Sequence, residues 1–453
     1  FDYENSRYDR RERERYGFGI VKTYEMSDNT TVYRTTIKNF YNQNYFVRGL
    51  LHSTQSYGGT GTSNILSTST NTYKLYNFNQ SVSELTELPN GQFYNYDVGG
   101  TEGKKMARAL MSGTTKTTYE SGNTITTESK LSYNVKGQVT KYEYISPSTS
   151  YNSVISYHSN LGNNIQNVPS MITVYPGLGA TNPLRRRATE ITNLNTGDIS
   201  KFKVWLNSGE IAETDLTYDP FGNIKKVKNP PNEFNQRSET EYFYDSMGKY
   251  VIQVKDLIFN LSSYATYDPL FDTLLESTDV TGNKMKYEHD GYGRPLTIIG
   301  PKDYPTQTHT VSYEYFNSPV NLSNGNKLYL FTAKTTHFDP YHTNNNIEII
   351  SFSDVRGELV QVKKDIEKDN EEKMSVSGRI INDNFGREIA KFHPIFEGKD
   401  ALVNNKLSLT LSQHNTSATY DYKDRTLSSI DQTGNISNNR FFIESNRAKV
   451  ETT

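Results

Sequence analysis

The residues of this chain that could do chemistry are few and far apart. Its eight histidines are scattered and it has no cysteine. That excludes disulfides, thiolate metal sites and a cysteine nucleophile, and leaves either redox compartment open. His337-Phe338-Asp339-Pro340-Tyr341-His342 offers two imidazoles and a carboxylate, the donor types of a metal site. The proline spoils a helical i, i+4 presentation and no third strong ligand is adjacent, so an ordinary surface loop is expected there. Gly58-Gly59-Thr60-Gly61-Thr62-Ser63 has the glycine content of a phosphate loop, but it lacks the lysine of a Walker motif and no helical apolar period follows. A flexible hairpin or loop tip is expected instead. Arg185-Arg186-Arg187 is purely basic, and a solvated loop balanced by carboxylates elsewhere is expected over phosphate binding or a protease-sensitive site. No Gly-x-Ser-x-Gly occurs, and the patterns of EF-hand loops and of calcium-binding nonapeptides are absent. No catalytic residue, cofactor site or metal site is expected, and the chain is not read as an enzyme.

The aspartates recur in turns. Tyr218-Asp219-Pro220-Phe221-Gly222 is followed by Tyr244-Asp245-Ser246-Met247-Gly248, Tyr267-Asp268-Pro269-Leu270-Phe271 and His289-Asp290-Gly291-Tyr292-Gly293-Arg294. Aligned on positions 222, 248, 271 and 293, the spacings are 26, 23 and 22 residues. In such a unit the carboxylate can accept a backbone N–H two residues on, and glycine supplies a positive φ without steric cost. On either side lie short β-prone runs such as Glu241–Tyr244 and Tyr250–Val254, so each period reads as about two strands and two turns. A second turn falls between the units at Asp279-Val280-Thr281-Gly282-Asn283 and again at Asp431-Gln432-Thr433-Gly434-Asn435. Later copies are Ser353-Asp354-Val355-Arg356-Gly357, Asn382-Asp383-Asn384-Phe385-Gly386-Arg387 and Tyr420-Asp421-Tyr422-Lys423-Asp424-Arg425.

Composition sets the kind of sheet these turns join. Setting tyrosine aside and counting glycine, about a third of the 453 residues are apolar, against roughly 45–50% in ordinary globular domains. The apolar core must be thin. Aromatic residues make up 12% of the chain and the net charge is only −2, which argues against disorder. A sheet wetted on both faces, or on one face over a small core, fits, and tyrosine suits it because its ring packs across strands while its hydroxyl reaches water. The near-neutral balance provides no field for nucleic acid or anionic membranes. No apolar run approaches the roughly 18 residues that cross a bilayer. The chain opens on Phe1 and stops in polar sequence at Thr453, and it is read as an internal piece of a larger protein.

Along the chain, residues 1–47 carry the mixed-charge run Asp9 to Arg15, expected as a laced, solvated loop or short helix. Residues 48–145 are β-rich with degenerate repeats, including turns at Ser121-Gly122-Asn123 and Tyr133-Asn134-Val135-Lys136-Gly137, Gly99-Gly100 as a further loop tip, and one or two helical turns over Lys104–Met111. Residues 146–210 begin with a long irregular connection, Ser146 to Pro183, and end in an alternating strand, Lys201 to Leu206, where Trp205 is a packing residue. Residues 211–300 are the tandem repeats, 301–346 an insertion or loop region with an exposed loop over Tyr341–Asn346, and 347–453 further repeats. Within the last block Lys363–Lys373 reads as an exposed turn.

These tandem turns resemble the YD repeats of the Rhs family, which includes the teneurins and the B and C components of Tc toxins. Asp290-Gly291-Tyr292-Gly293-Arg294-Pro295-Leu296 is similar to the family's Tyr-Asp-x-x-Gly-Arg-Leu pattern, whereas Lys249 or Asn223 stands elsewhere in place of arginine. Tyr8, Asp9, Glu12, Arg13, Glu14, Gly17, Phe18 and Gly19 resemble a segment in the middle region of Tc toxin B components. The block Val376-Ser377-Gly378-Arg379 through Gly386-Arg387 to His393-Pro394-Ile395-Phe396 resembles the same region. The likeness spans most of the chain and covers Gly49–Ser132 poorly. It implies an all-β fold, with tandem antiparallel strands coiling into part of a hollow Rhs-type β-shell that this stretch alone does not close. It also implies a structural function: a shell of a secreted bacterial toxin that encloses its own C-terminal effector until delivery. The implied partners are the remainder of the polypeptide, including that cargo, and a secretion or delivery apparatus. The alternative is a teneurin-like adhesion or recognition module at the cell surface. The family's aspartyl self-cleavage uses paired Asp-Pro-x-Gly elements. Asp219-Pro220-Phe221-Gly222 is one, but Glu241-Tyr242-Phe243-Tyr244 stands where its partner would begin and Asp268-Pro269-Leu270-Phe271 lacks the glycine, so self-cleavage is not expected here.

Overall fold

The computed structural model describes all residues except 11–12, 43–44, 78–85, 88–106, 160–164, 208, 322–326, 340–345, 378, 401–404, 409 and 411–414. Among the described residues every helix or strand is a strand, from Asp2–Asp9 to Arg447–Thr452. The runs between turns are rich in Thr, Tyr, Val and Ile, residues that fit a pleated, half-buried surface. Turn residues break them before a helix could nucleate. The chain forms two compact units, Phe1–Thr214 with Tyr420–Arg425 and Asn439–Thr453, and Asp215–Thr419 with Thr426–Asn438.

In the first unit the strands pair antiparallel, each with the next in sequence. Asp2–Asp9 pairs with Glu14–Met26, then come Val32–Phe40, Leu51–Gly58 and Ile65–Asn77. Ile65–Asn77 pairs onward with Ala107–Glu120, and the series continues through Asn123–Tyr133, Val139–Ile145, Ser150–Tyr157, Pro169–Tyr175, Arg185–Ile191 and Ile199–Trp205. Most strand residues are half-buried; the fully buried apolar residues, such as Tyr16, Tyr57, Leu66, Leu75 and Leu110, are few and dispersed.

In the second unit short strands from Ile224–Lys228 to Pro295–Ile299 form a meander of hairpins. Longer strands follow, Val311–Asn321, Lys327–His337, Ile347–Ser353, Leu359–Lys368 and Glu371–Val376. Here a compact core does form, from Leu330, Ile350, Phe352, Met374 and Leu407. Beside it Lys363 is wholly buried and bonds Glu397 at 2.8 Å. Gln361, also buried, accepts the Ser408 N–H at 2.8 Å and so fastens the 405–408 segment to the sheet.

Several local expectations are corrected by these pairings. Ser146–Pro183 is not one irregular connection, because Ser150–Tyr157 and Pro169–Tyr175 pair across it. Serine and asparagine dilute the apolar alternation of Ser150–Tyr157, and Pro169 stands first in its strand, where no ladder donor is needed. No helix forms at Ala107–Met111; pairing with Ile65–Asn77 overrides the helical propensity of Ala-Arg-Ala-Leu-Met and buries Leu110. Lys104–Met106 and Gly99-Gly100 lie outside the described residues. In the charged run near the N-terminus Asp9 pairs with Glu14 and Arg13 turns at φ 55°, in keeping with the loop alternative, while residues 11–12 lie outside the described residues. Arg185–Arg187 open a strand instead of a loop, and Arg186 stacks 5.4 Å from the Trp205 ring centre. The 301–346 region carries a long hairpin, Val311–Asn321 with Lys327–His337, its arms rich in β-prone Tyr, Phe, Val and Thr. Of Lys363–Lys373 only Asp369-Asn370 turns, both with positive φ, and the rest is strand.

Candidate functional site: the aspartate turns

The Tyr-Asp units build variants of one hairpin end. At Asp219 the backbone N–H bonds the Asn223 carbonyl at 2.9 Å and the Gly222 N–H bonds the Asp219 carbonyl at 3.1 Å. This is a type I turn closed by a left-handed residue, here Gly222 at φ 86°. The Asp219 carboxylate then accepts two further backbone donors, Phe221 N–H and Asn223 N–H, both at 2.9 Å. One side chain thus satisfies the donors that the turn leaves unpaired.

The residue after the glycine folds back on the same carboxylate. Arg294 Nε reaches Asp290 at 2.6 Å, Arg387 Nε reaches Asp383 at 2.7 Å and Arg425 Nε reaches Asp421 at 2.8 Å. In the Gly-Asn turns Asn283 and Asn435 take that part, at 3.0 and 2.9 Å from Asp279 and Asp431. Hydrogen bonds from Thr281 and Asn283 hold the Asp279 carboxyl at about 2, and those from Thr433 and Asn435 hold Asp431 at about 2. At Asp383 and Asp421 burial pushes the carboxyl up, but arginine and backbone donors outweigh it and the net direction is down. Asp354 accepts Arg356 N–H and Glu358 N–H at 2.9 and 3.0 Å, with Gly357 at φ 83°.

The degenerate copies show what the pattern tolerates. Asp245 accepts Lys249 N–H and Tyr250 N–H in a loop one residue longer, with Gly248 left-handed. Lys249, in place of arginine, bonds Asp272 of the next turn. In the Tyr267-Asp268 unit the left-handed position is not Phe271 but Asp272, at φ 57°, because without a glycine the loop lengthens so that Asp268 pairs with Thr273. In the Tyr420-Asp421 unit Asp424 takes the glycine's place at φ 62°.

Consecutive turns along one edge also touch. A Cβ on Gly248 would fall 2.7 Å from the Phe221 ring, and one on Gly293 would fall 3.1 Å from Phe271. The tyrosine of one unit reaches back to the previous one: Tyr244 donates its hydroxyl to the Ile224 carbonyl at 2.9 Å, and Tyr267 stacks on Tyr250 at 5.0 Å. Tyr218 precedes its turn in the same way, paired with Ile224. Tyr420 and Tyr244 likewise each close a strand immediately before their aspartates. Gly386 is packed against Glu358, 2.8 Å from where its Cβ would stand.

The N-terminal motif is a bulge. Between Arg7↔Gly17 and Tyr8↔Arg15 the register shifts, so that Tyr16 is the extra residue; it is buried, and Gly17 takes φ 81°. Gly19 leaves room for Asn42, whose amide donates to the Asn5 carbonyl at 2.6 Å; a Cβ there would lie 3.1 Å from Asn5 and 3.2 Å from Asn42. Arg48 pairs with Glu14 and lies over the Tyr16 ring at 5.5 Å, while Phe18 packs on Tyr3 at 5.0 Å. Tyr8 is exposed, Asp9 pairs with Glu14, Arg13 makes the turn, and Glu12 lies outside the described residues.

Outside the turns, Gly58–Ser63 is a hairpin tip between Leu51–Gly58 and Ile65–Asn77. His337 ends a strand and Asp339 follows it, whereas Pro340, Tyr341 and His342 lie outside the described residues, as do Tyr341–Asn345 of the expected loop and Gly378. Among the described residues no three His, Asp or Glu side chains converge as metal ligands. No helix there is long and apolar enough to cross a membrane.

The chain matches no protein-family profile and no curated protein. Solved structures do match. The fold class they define is the antiparallel, all-β fold of the Rhs/Tc type, as the repeats implied. The particular structures are of Tc toxins. The crystal structure of TcdB2-TccC3-TEV aligns with a TM-score of 0.72 at 13% identity, over 97% of this chain and 32% of that one. That of TcdB2-TccC3 gives 0.72 at 13% identity, over 98% and 30%. That of TcdB2-TccC3 without hypervariable C-terminal region gives 0.69 at 13% identity, over 97% and 32%. The chain spans about a third of the length of the structures it matches, and what it shares with them is the fold.

Proposed function

We propose that this chain is wall: a structural, non-catalytic segment of a Tc/Rhs-type shell that encloses the C-terminal effector of its own polypeptide until delivery. The observation that carries this reading is the alignment with TcdB2-TccC3 over 98% of the chain. Mostly half-buried strands, with core positions dispersed in the first unit, support it, since a wall bounding a large volume has two faces and little interior. In this reading the aspartate turns are fasteners. Tyr218, Asp219, Gly222, Tyr244, Asp245, Gly248, Tyr267, Asp268, Asp290, Gly293, Arg294, Gly357, Asp383, Gly386, Arg387, Tyr420 and Asp421 hold the hairpin ends in register. The proposed setting is a secreted or cell-surface bacterial protein, its partners being the rest of the polypeptide and a delivery apparatus. Electron microscopy of the full-length parent protein, with mass spectrometry of its fragments, tests the reading. A hollow β-walled particle with internal density and a released C-terminal piece is expected. A solid or extended particle without enclosed volume would overturn it.

A further inference from the structure

We propose that the Tyr420–Arg425 turn is an ionic latch that holds the C-terminal strand pair, Asn439–Glu444 with Arg447–Thr452, onto the N-terminal strands of the first unit. This inference rests on the geometry of that unit alone and stands whether or not the shell reading does.

Neither segment is laddered to a strand of residues 1–214 in the described pairings; Asn439–Glu444 pairs with Arg447–Thr452. Attachment is instead by side chains. Glu120, at a hairpin end, receives Lys423 Nζ at 2.7 Å and Arg425 Nη1 at 2.9 Å, while Lys423 also bonds the Tyr119 carbonyl. Arg34 lies between Glu25 at 2.7 Å and Asp424 at 3.0 Å and donates to the Tyr422 carbonyl at 3.1 Å. Tyr33 donates its hydroxyl to the Asp421 carbonyl, and its ring meets Tyr422 at 5.2 Å. Tyr422 in turn closes on Gly58, where a Cβ would lie 2.5 Å from its ring.

The strand pair is then held at one side. Ser121 Oγ and Asn123 Nδ2 each donate to a backbone carbonyl of it, Phe441 and Ile443, at 3.2 Å, and Arg425 lies 3.8 Å over the Phe441 ring. Its outer strand, Arg447–Thr452, is exposed along its whole length. A backbone ladder would be insensitive to charge, but this attachment concentrates on one carboxylate facing two cations. Removing that carboxylate leaves Lys423 and Arg425 close together and partly buried. The turn also departs from the repeat at the point of contact. Left-handed Asp424 replaces glycine, and its carboxylate is the one that Arg34 takes.

Hydrogen exchange followed by mass spectrometry on the 453-residue chain tests the latch. Glu120→Gln should raise exchange in peptides covering 436–452 by about tenfold or more, with peptides covering 311–376 unchanged. The double reversal Glu120→Lys with Lys423→Glu should restore part of the protection that Glu120→Lys alone removes. Molar salt applied to the unmodified chain should loosen the same peptides selectively; this arm needs no variant to fold. Unchanged exchange over 436–452 in Glu120→Gln, or loosening by salt that is uniform along the chain, would overturn the proposal.

Discussion

Asn223 donates its side-chain amide to the carbonyl of Gly248 at 2.7 Å, so that one Tyr-Asp turn is tied to the next along the edge of the sheet. The same Gly248 lies beneath the Phe221 ring. A repeat that reads as a local turn motif is therefore also an inter-turn contact, and the glycine serves both.

Substituting the two glycines should separate these effects. Gly222→Ala meets open space and costs only its left-handed backbone, about 1–2 kcal/mol. Gly248→Ala adds a collision with Phe221 and should cost more. Phe221→Ala introduced into Gly248→Ala should recover part of the difference. Urea unfolding of the parent, Gly248→Ala, Phe221→Ala and the double variant gives the coupling, and additive effects would mean that the turns do not touch in solution.

Asp424 offers the reverse experiment. Asp424→Gly relieves the left-handed strain but forfeits the Arg34 ion pair, and should change stability little. In an Arg34→Ala background that pair is already gone, and Asp424→Gly should stabilise by about 1 kcal/mol. Thermal unfolding of both pairs checks the sign in each background.

Asp279 and Asp431 carry a pH dependence. Both carboxyls are held at about 2, below the ordinary aspartate value of 3.8. Their folded-state pKa is depressed, so the stability they contribute is present above about 4 and is lost as the pH falls towards 2. Carbon NMR of aspartate-labelled protein should find the Asp279 and Asp431 carboxyls still ionised at pH 3, and Asp279→Asn should remove the first of these signals. Titration of both near 4 would refute the geometry of the Gly-Asn turn.

Lys363 and Glu397 form the charged pair beside the second unit's core. Glu397→Gln removes the carboxylate charge that faces a buried ammonium and should cost roughly 3–5 kcal/mol. Lys363→Met combined with Glu397→Leu should come within about 1 kcal/mol of the parent or exceed it, since a desolvated pair is replaced by apolar packing. Urea midpoints of the two variants decide; equal losses in both would mean that the pair itself is strongly stabilising.

The turns were legible in the sequence wherever aspartate and glycine occupy their positions, because those two side-chain identities are what the geometry demands. Others were hidden by substitutes with the same capacities. At Asn232-Glu233-Phe234-Asn235-Gln236 the Asn232 side chain accepts Phe234 N–H and Gln236 N–H, and Asn235 takes φ 59°. Asparagine supplies both the acceptor and the left-handed residue, so no Asp-x-x-Gly signal remains. At Asn134 the acceptor is likewise an amide, bonding Lys136 N–H and Gln138 N–H, but Gly137 at φ 76° kept that turn legible. Leu206 closes on Gly209 and Glu210 through backbone bonds, and leucine in the aspartate's place leaves no Asp-x-x-Gly signal. The Tyr420–Arg425 contact with Glu120 was not legible at all, since nothing local in either segment specifies a partner some three hundred residues away.

That separation has a consequence for assembly. Asp219 and Asn223 are 4 residues apart, and each hairpin of the array closes a loop of similar size, whereas Lys423 and Glu120 are 303 apart. Short loops close at small entropic cost and in little time; long ones wait for the chain between them to order. The array is thus suited to fold hairpin by hairpin as it leaves the ribosome, and the contact at Glu120 to form last, when the intervening strands have brought its two halves within reach.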